Sequence, residues 1–164
     1  MEYRDLYDEN RKFTGEKVAK GQPTPKGRFH VTVMVFITNS KNQILLQKRS
    51  QAKGGLWATT GGHPTTGQTS LQGIHTEILE ELGLDVNKGN LKLFKTVKTD
   101  KSFVDLYHLQ QDVDLATLKL QKEEVSDVKW ATCQDIEDLI KHNLFFKPHI
   151  GEYNDFLNLV YMKY

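Results

Sequence analysis

Between positions 71 and 82 apolar residues recur at Leu71, Ile74, Ile78 and Leu82, the spacing of one face of an α-helix. Both ends of that helix are marked. Thr69 can serve as N-cap with Gln72 closing a capping box, and Gly83, followed by apolar Leu84, sits where a left-handed C-terminal residue is wanted. Upstream, 30–37 (HVTVMVFI) and 43–48 (QILLQK) are near-continuous apolar runs rich in β-branched residues, joined by a turn over 39–42. They predict two successive central strands covered on both faces. Downstream, 91–99 and 103–110 predict a hairpin turning at Asp100-Lys101, and 128–131 a short strand. Helices are predicted over 135–142 and over 153–162, the latter with Phe156, Leu157, Val160 and Tyr161 on one side. Residues 2–20 alternate apolar and charged around an Asp8-Glu9-Asn10 turn signal and predict a β-hairpin, followed by a loop with two prolines. Strands and helices interleaved in this way imply an α/β fold, a mixed β-sheet sandwiched between α-helices.

Length and composition narrow the picture. The 164 residues predict one domain spanning 1–164 with an N-terminal hairpin extension over about 1–28. A net charge of +1 gives no general attraction to a nucleic acid polymer or an anionic membrane. Cys133 is the lone cysteine and has no internal disulfide partner, and no apolar run is long enough for a signal peptide or membrane span. A cytoplasmic protein is the expectation; a monomer and a homodimer are both compatible with the sequence.

Candidate chemistry lies on the first helix. Glu77, Glu80 and Glu81 stand at i, i+3 and i+4, so their carboxylates share one side. Like charges at these spacings cost roughly 0.2–0.5 kcal/mol per pair, and the helix C-terminus disfavours anions by another ~0.3–1 kcal/mol each. A hard divalent cation would compensate, since Mg²⁺ takes one or two carboxylates together with water and phosphate oxygens; a solvated acidic face is the plainer alternative. Ahead of the helix, Gly61-Gly62 lets the backbone approach a ligand and aim a carbonyl at a metal. Lys48-Arg49, at the end of the second apolar strand, could hold a diphosphate, and Arg49 is the candidate of the two. Lys20, Lys26 and Arg28 are loop cations that read as solvated.

The stretch GGHPTTGQTSLQGIHTEILEELGL resembles the Nudix box, G-x5-E-x7-R-E-U-x-E-E-x-G-U with U aliphatic. Gly62, Glu77, Ile78, Glu80, Glu81, Gly83 and Leu84 match in register; Gln68 stands where the family has Glu, and Thr76 where it has Arg. The DLYDEN, LLQKRS and W-x-T-x-G-G-H-P segments look like the branch that includes isopentenyl-diphosphate isomerases and their hydrolase-like relatives. Those isomerases use a cysteine in the loop before the His-Pro pair, a position held here by Gly61, while His63 matches one of their metal-binding histidines.

The resemblance implies a Nudix-type αβα sandwich and a Mg²⁺-dependent pyrophosphohydrolase, with Mn²⁺ as a substitute. Its substrate would be a small molecule with a diphosphate linkage, a nucleoside diphosphate or one linked to another group. Glu77, Glu80 and Glu81 with the Gly61 carbonyl would hold the metal. A further carboxylate from outside the box is common in the family, and Glu124 is the candidate, with Glu123 and Asp127 competing. Either Glu77 or Glu124 would serve as general base. An isopentenyl-diphosphate isomerase-like enzyme is one alternative; a non-catalytic Nudix-fold nucleotide-binding module, suggested by Gln68 and Thr76, is the other.

Overall fold

The structure is a computed structural model that describes residues 1–161, the side chain of Tyr161 excepted. Met162, at which the sequence pattern ends the last helix, and the Tyr161 side chain lie outside the described residues.

Strands β1 (Tyr3–Tyr7) and β2 (Phe13–Ala19) form an antiparallel hairpin. It docks on the rest of the chain through main-chain bonds between Tyr7 and Phe29, at 2.8 and 2.9 Å, and from Thr66 N–H to the Tyr3 carbonyl. At its tip Arg11 adopts a left-handed backbone, φ 62°, and sends its guanidinium across to buried Asp105.

The central sheet is built on β3 (His30–Thr38), which runs parallel to β8 (Ser102–Gln110) over its whole length; β8 pairs antiparallel with β7 (Lys92–Lys98). The two long apolar runs are not a simple hairpin. β3 and β4 (Ile44–Arg49) meet only at Thr38 and Ile44 and then part. β4 takes β9 (Val125–Ala131) on one edge. Residues 57–62 fill the wedge between the parted strands. They pair first with β4, as β5 (Trp57–Ala58), and then with β3, as β6 (Thr60–Gly62). The sequence predicts a turn at 39–42, and the turn forms; it does not reveal that the strand edges beyond it are claimed by other segments.

Each face of the sheet carries its own core, which is why both parities of β3 are apolar. Helix α1 (Ser70–Leu82) buries Ile74, Ile78 and Leu82 against Val31, Val33, Val35 and Leu109. On the other face α2 (Cys133–Lys141) and α3 (Ile150–Tyr161) bring Ile136, Leu139, Tyr153 and Phe156 onto Met34, Phe36, Leu46 and Leu106, with Phe36 and Phe156 stacked at 4.6 Å. Helix α2 starts two residues earlier than its apolar pattern predicts, because Thr132 caps it and Asp135 closes a capping box.

Candidate functional site

Helix α1 is held at both ends by the residues its sequence marks. The Thr69 hydroxyl accepts from Gln72 N–H at 3.1 Å, the Gln72 side chain accepts from Thr69 N–H at 2.8 Å, and Gly83 takes a left-handed φ of 64°. Fixed in this way, its C-terminal half presents Glu77, Glu80 and Glu81 to a cleft of about 710 Å³. Gly61, Gly62, His63 and Glu124 line the same cleft. The N-terminal hairpin supplies the opposite wall, with Tyr3, Arg4, Lys17 and Lys20. The cleft therefore has an acidic side and a cationic side. Lys20 faces it, with its ammonium 3.1 Å from Glu2; Lys26 and Arg28 do not line it, and Arg28 is engaged by Glu16 at 2.7 Å.

Glu81 is the most buried of the acids, 8% exposed. One of its oxygens accepts from the Gln47 amide at 2.7 Å, and the Gln47 carbonyl in turn accepts from the Thr60 hydroxyl at 2.6 Å. Gln47 lies on β4, 34 residues away, and nothing local in the sequence points to it. Glu124 reaches the cleft from the loop before β9, its carboxylate 3.6 Å from the Lys53 ammonium. Its competitors Glu123 and Asp127 do not line the cleft and are exposed.

Burial, then the neighbouring charges of Glu81 and Glu80, push the Glu77 carboxyl up to about 8. Burial likewise raises Glu81 to about 7, against the Gln47 hydrogen bond and with the charges of Glu124 and Glu80 adding to the rise. Among the described residues no three His, Cys, Asp or Glu side chains already converge in ligating geometry; the acids are spread along one wall. Their chemistry still fits a hard divalent cation: they are oxygen donors, mutually repelling and partly desolvated. Space is kept for them as well, since a Cβ on Gly62 would overlap the Glu77 carboxyl.

These raised values fix a pH dependence. A carboxylate whose folded pKa exceeds its unfolded value, near 4.5, binds more protons folded than unfolded between the two values, so stability falls as pH rises through that interval. Glu77 and Glu81 are expected to stabilise the metal-free protein less at pH 8 than at pH 5, a trend that His30 and His149, lowered by burial to about 4, oppose below about pH 6.5; saturating Mg²⁺ is expected to stabilise the protein more at pH 8 than at pH 5. Melting curves at both pH values, with and without Mg²⁺, measure this; a stabilisation by Mg²⁺ independent of pH would exclude these acids as its ligands.

The two departures from the Nudix box meet each other. The Gln68 amide donates to the Thr76 hydroxyl at 3.2 Å, and its carbonyl accepts from Thr65 N–H at 2.9 Å. A neutral hydrogen bond thus occupies the place of the family's opposite charges. A lone buried charge can cost ~3–5 kcal/mol, less at a partly buried site, whereas exchanging both partners can be nearly neutral. Gln68→Glu or Thr76→Arg alone is expected to lower stability or turnover, and the double change to recover them. A double-mutant cycle with coupling below about 0.5 kcal/mol would show that the positions act independently.

Arg49 does not line the main cleft. It borders a second chamber of about 260 Å³, which shares Lys53, Gly61, Gly62, His63, Glu81 and Glu124 with the cleft and adds Thr59, Phe146 and His149. Lys48 borders neither cavity. His63 lies edge-on to His30 at 5.1 Å; burial, followed by the charge of Arg4, lowers buried His30 to about 4, while solvent-exposed His63 is lowered in the same direction by partial desolvation and then by the charges of Arg4, His30 and Lys20. Cys133 begins α2 and lines neither cavity. The sequence reading missed Gln47, Arg4, Phe146 and His149; only the fold brings them to these cavities.

Comparison with known proteins bears on what this cleft is. The family model described as the NUDIX domain matches residues 28–150. A Nudix hydrolase of Listeria monocytogenes, lmo0368, is 35% identical over 143 residues, 85% of each chain. An isopentenyl-diphosphate Δ-isomerase of Pectobacterium atrosepticum is 43% identical over 83 residues, 48% of this chain and 46% of that one. The crystal structure of DR0079 from Deinococcus radiodurans superposes with a TM-score of 0.76 at 22% identity, covering 92% of this chain and 96% of that one. The matched span takes in the glutamates on α1, the glycine pair before it and the central sheet, and the chain belongs to the Nudix hydrolase family.

Proposed function

We propose that this protein is a Mg²⁺-dependent hydrolase of a diphosphate bond in a small molecule, a nucleoside diphosphate or one linked to another group. The observation that carries the reading is the meeting of Glu77, Glu80, Glu81 and Glu124 with Gly61-Gly62 in one cleft whose far wall is cationic. A bound Mg²⁺, for which Mn²⁺ would substitute, supplies neutralisation of phosphoryl charge and acidification of the attacking water. Glu77, Glu80, Glu81 and the Gly61 carbonyl would hold it. Glu124 is favoured as the base that takes the water's proton: it borders both cavities and faces a lysine, leaving the three helix acids to the cation. Glu124→Gln should then lower kcat while preserving Mg²⁺ affinity, whereas Glu77→Gln lowers both. Arg49, Arg4 and Lys20 would contact substrate anions, since phosphoryl transfer depends on positioning and charge neutralisation.

The test is a panel of nucleoside diphosphates, nucleotide sugars and isoprenoid diphosphates with Mg²⁺, read by phosphate or nucleotide release. Isopentenyl diphosphate is expected to remain unisomerised, because Gly61 offers no thiol and Cys133 lies away from both cavities. Isomerisation at a rate comparable to any nucleotide hydrolysis would favour the isomerase reading. Nucleotide binding without turnover of any compound would favour a binding module.

A further inference from the structure

The second chamber shares Gly61, Glu81 and Glu124 with the main cleft, so a diphosphate lying across those residues would have one end in each cavity. The cavities differ in size. About 710 Å³ is within the range of small-molecule sites, whereas about 260 Å³ falls below it and suits a small group rather than a whole nucleoside.

Three residues give the chamber its chemistry. The Arg49 Nε donates to the Lys53 carbonyl at 3.1 Å, and its guanidinium lies 3.9 Å from the centroid of the Phe146 ring. Held on an edge and a face, Arg49 has no protein hydrogen bond at either Nη among the described residues, so its fork is ordered before any ligand arrives. His149 stands edge-on to the same Phe146 ring at 4.9 Å, and its Nδ1 is 3.2 Å from the Thr59 hydroxyl. With that hydroxyl donating to Nδ1, the ring proton sits on Nε2 as a further donor, a tautomer assigned from the hydrogen bond. Phe146 and His149 come from the segment leading into α3, which docks beside β5 through main-chain bonds of 2.9 Å (Trp57 N–H to the Leu144 carbonyl) and 2.8 Å (Phe146 N–H to the Trp57 carbonyl). Arg49, His149 and Glu81 all line this chamber.

We propose that Arg49 and His149, braced by Phe146, form a subsite for a terminal, unsubstituted phosphate, so that the enzyme selects diphosphates ending in a free phosphate over those esterified at that end. This deepens the hydrolase reading and rests on it for the identity of the substrate. The fork supplies two charge-assisted bonds in the geometry a dianionic phosphate presents. An ester there removes a charge and brings bulk that the small chamber must exclude.

Two measurements test it. Inorganic phosphate is titrated into the protein, with and without Mg²⁺, while the imidazole resonances are followed by NMR; His149→Asn identifies the His149 signal. That signal is expected to shift saturably. Arg49→Met should weaken phosphate binding by about tenfold or more, the scale of a lost charge-assisted pair. Arg49→Lys should not restore it, because an ammonium neither stacks nor forks, and Phe146→Leu should give an intermediate loss. In turnover, Arg49→Met should raise KM for a nucleoside diphosphate about tenfold and for its terminally esterified counterpart by less than about threefold. A His149 signal unmoved at saturating phosphate, or equal rises in KM for the two substrates, would overturn the subsite. Turnover of no diphosphate, together with a phosphate-dependent His149 shift lost in Arg49→Met, would leave the subsite standing and remove the hydrolase reading.

Discussion

Glu81→Gln is expected to lower metal-dependent turnover by at least about a hundredfold, roughly 2.7 kcal/mol of barrier. The substitution keeps shape and removes charge. Its carbonyl oxygen can still accept from Gln47, as one Glu81 oxygen does at 2.7 Å, and its amide then faces the cleft where an anionic oxygen is wanted. Stability should move the other way. Burial and neighbouring acids already raise the Glu81 carboxyl to about 7, so a neutral side chain relieves repulsion, and the metal-free variant should melt no lower than the parent near pH 8. Loss of turnover without loss of stability, together with a smaller stabilisation by Mg²⁺, is the signature of a lost ligand. Unchanged turnover would show that the acid cluster is not the site; lost turnover with a lower melting temperature would mark a structural defect instead.

The parts of this molecule legible in the sequence are those whose cause is local. Helix α1 follows from a 3.6-residue period and from capping residues within three positions of its ends, so Thr69, Gln72 and Gly83 are where the pattern places them. The Gln68–Thr76 hydrogen bond is also near-local, spanning the turn into one helix. The parting of β3 and β4 was not legible, because a strand's own pattern does not say which segment takes its edge. The same limit hid the second chamber. Arg49 is visible as a cation at a strand end, but the ring that braces it is about a hundred residues away and reads in sequence as one more apolar residue before a helix. Gln47 is hidden for a related reason: a polar residue in an apolar run reads as the solvent side of a strand, and here it is buried under Glu81.

Arg11→Met is expected to destabilise the protein by ~3–5 kcal/mol, the cost of leaving a buried charge without its partner. Arg11 sits at the tip of the N-terminal hairpin, and its two Nη groups grip Asp105 of β8 at 2.8 and 2.6 Å. Asp105 is 1% exposed and also accepts from the Thr96 hydroxyl at 2.7 Å. Burial alone would raise the Asp105 carboxyl; the bonds from Arg11 and Thr96, with the Ser70 hydroxyl and the Arg11 charge adding, outweigh it and hold the group below the usual aspartate range. A carboxylate depressed in this way contributes stability above its unfolded value, and that contribution is lost as pH falls through the folded one. The gap between parent and variant should therefore be full near pH 7 and narrow in acid. At roughly 2–4 °C per kcal/mol for a chain of this size, the melting temperature should fall on the order of 10 °C at neutral pH. Arg11→Met with Asp105→Leu should recover most of the loss, since two apolar groups leave no unpaired charge. The consequence reaches the cleft, because the hairpin that Arg11 fastens also carries Arg4 and Lys20, and Asp5 accepts from Gly67 N–H at 3.0 Å ahead of α1. Below the melting range, Arg11→Met should thus raise KM more than it lowers kcat. A loss under about 1 kcal/mol, the scale of an exposed pair, would mean that the bridge does not fasten the hairpin and that its other ties, the main-chain bonds to Phe29 and Thr66 and the Asp5–Gly67 bond among them, hold the cationic wall.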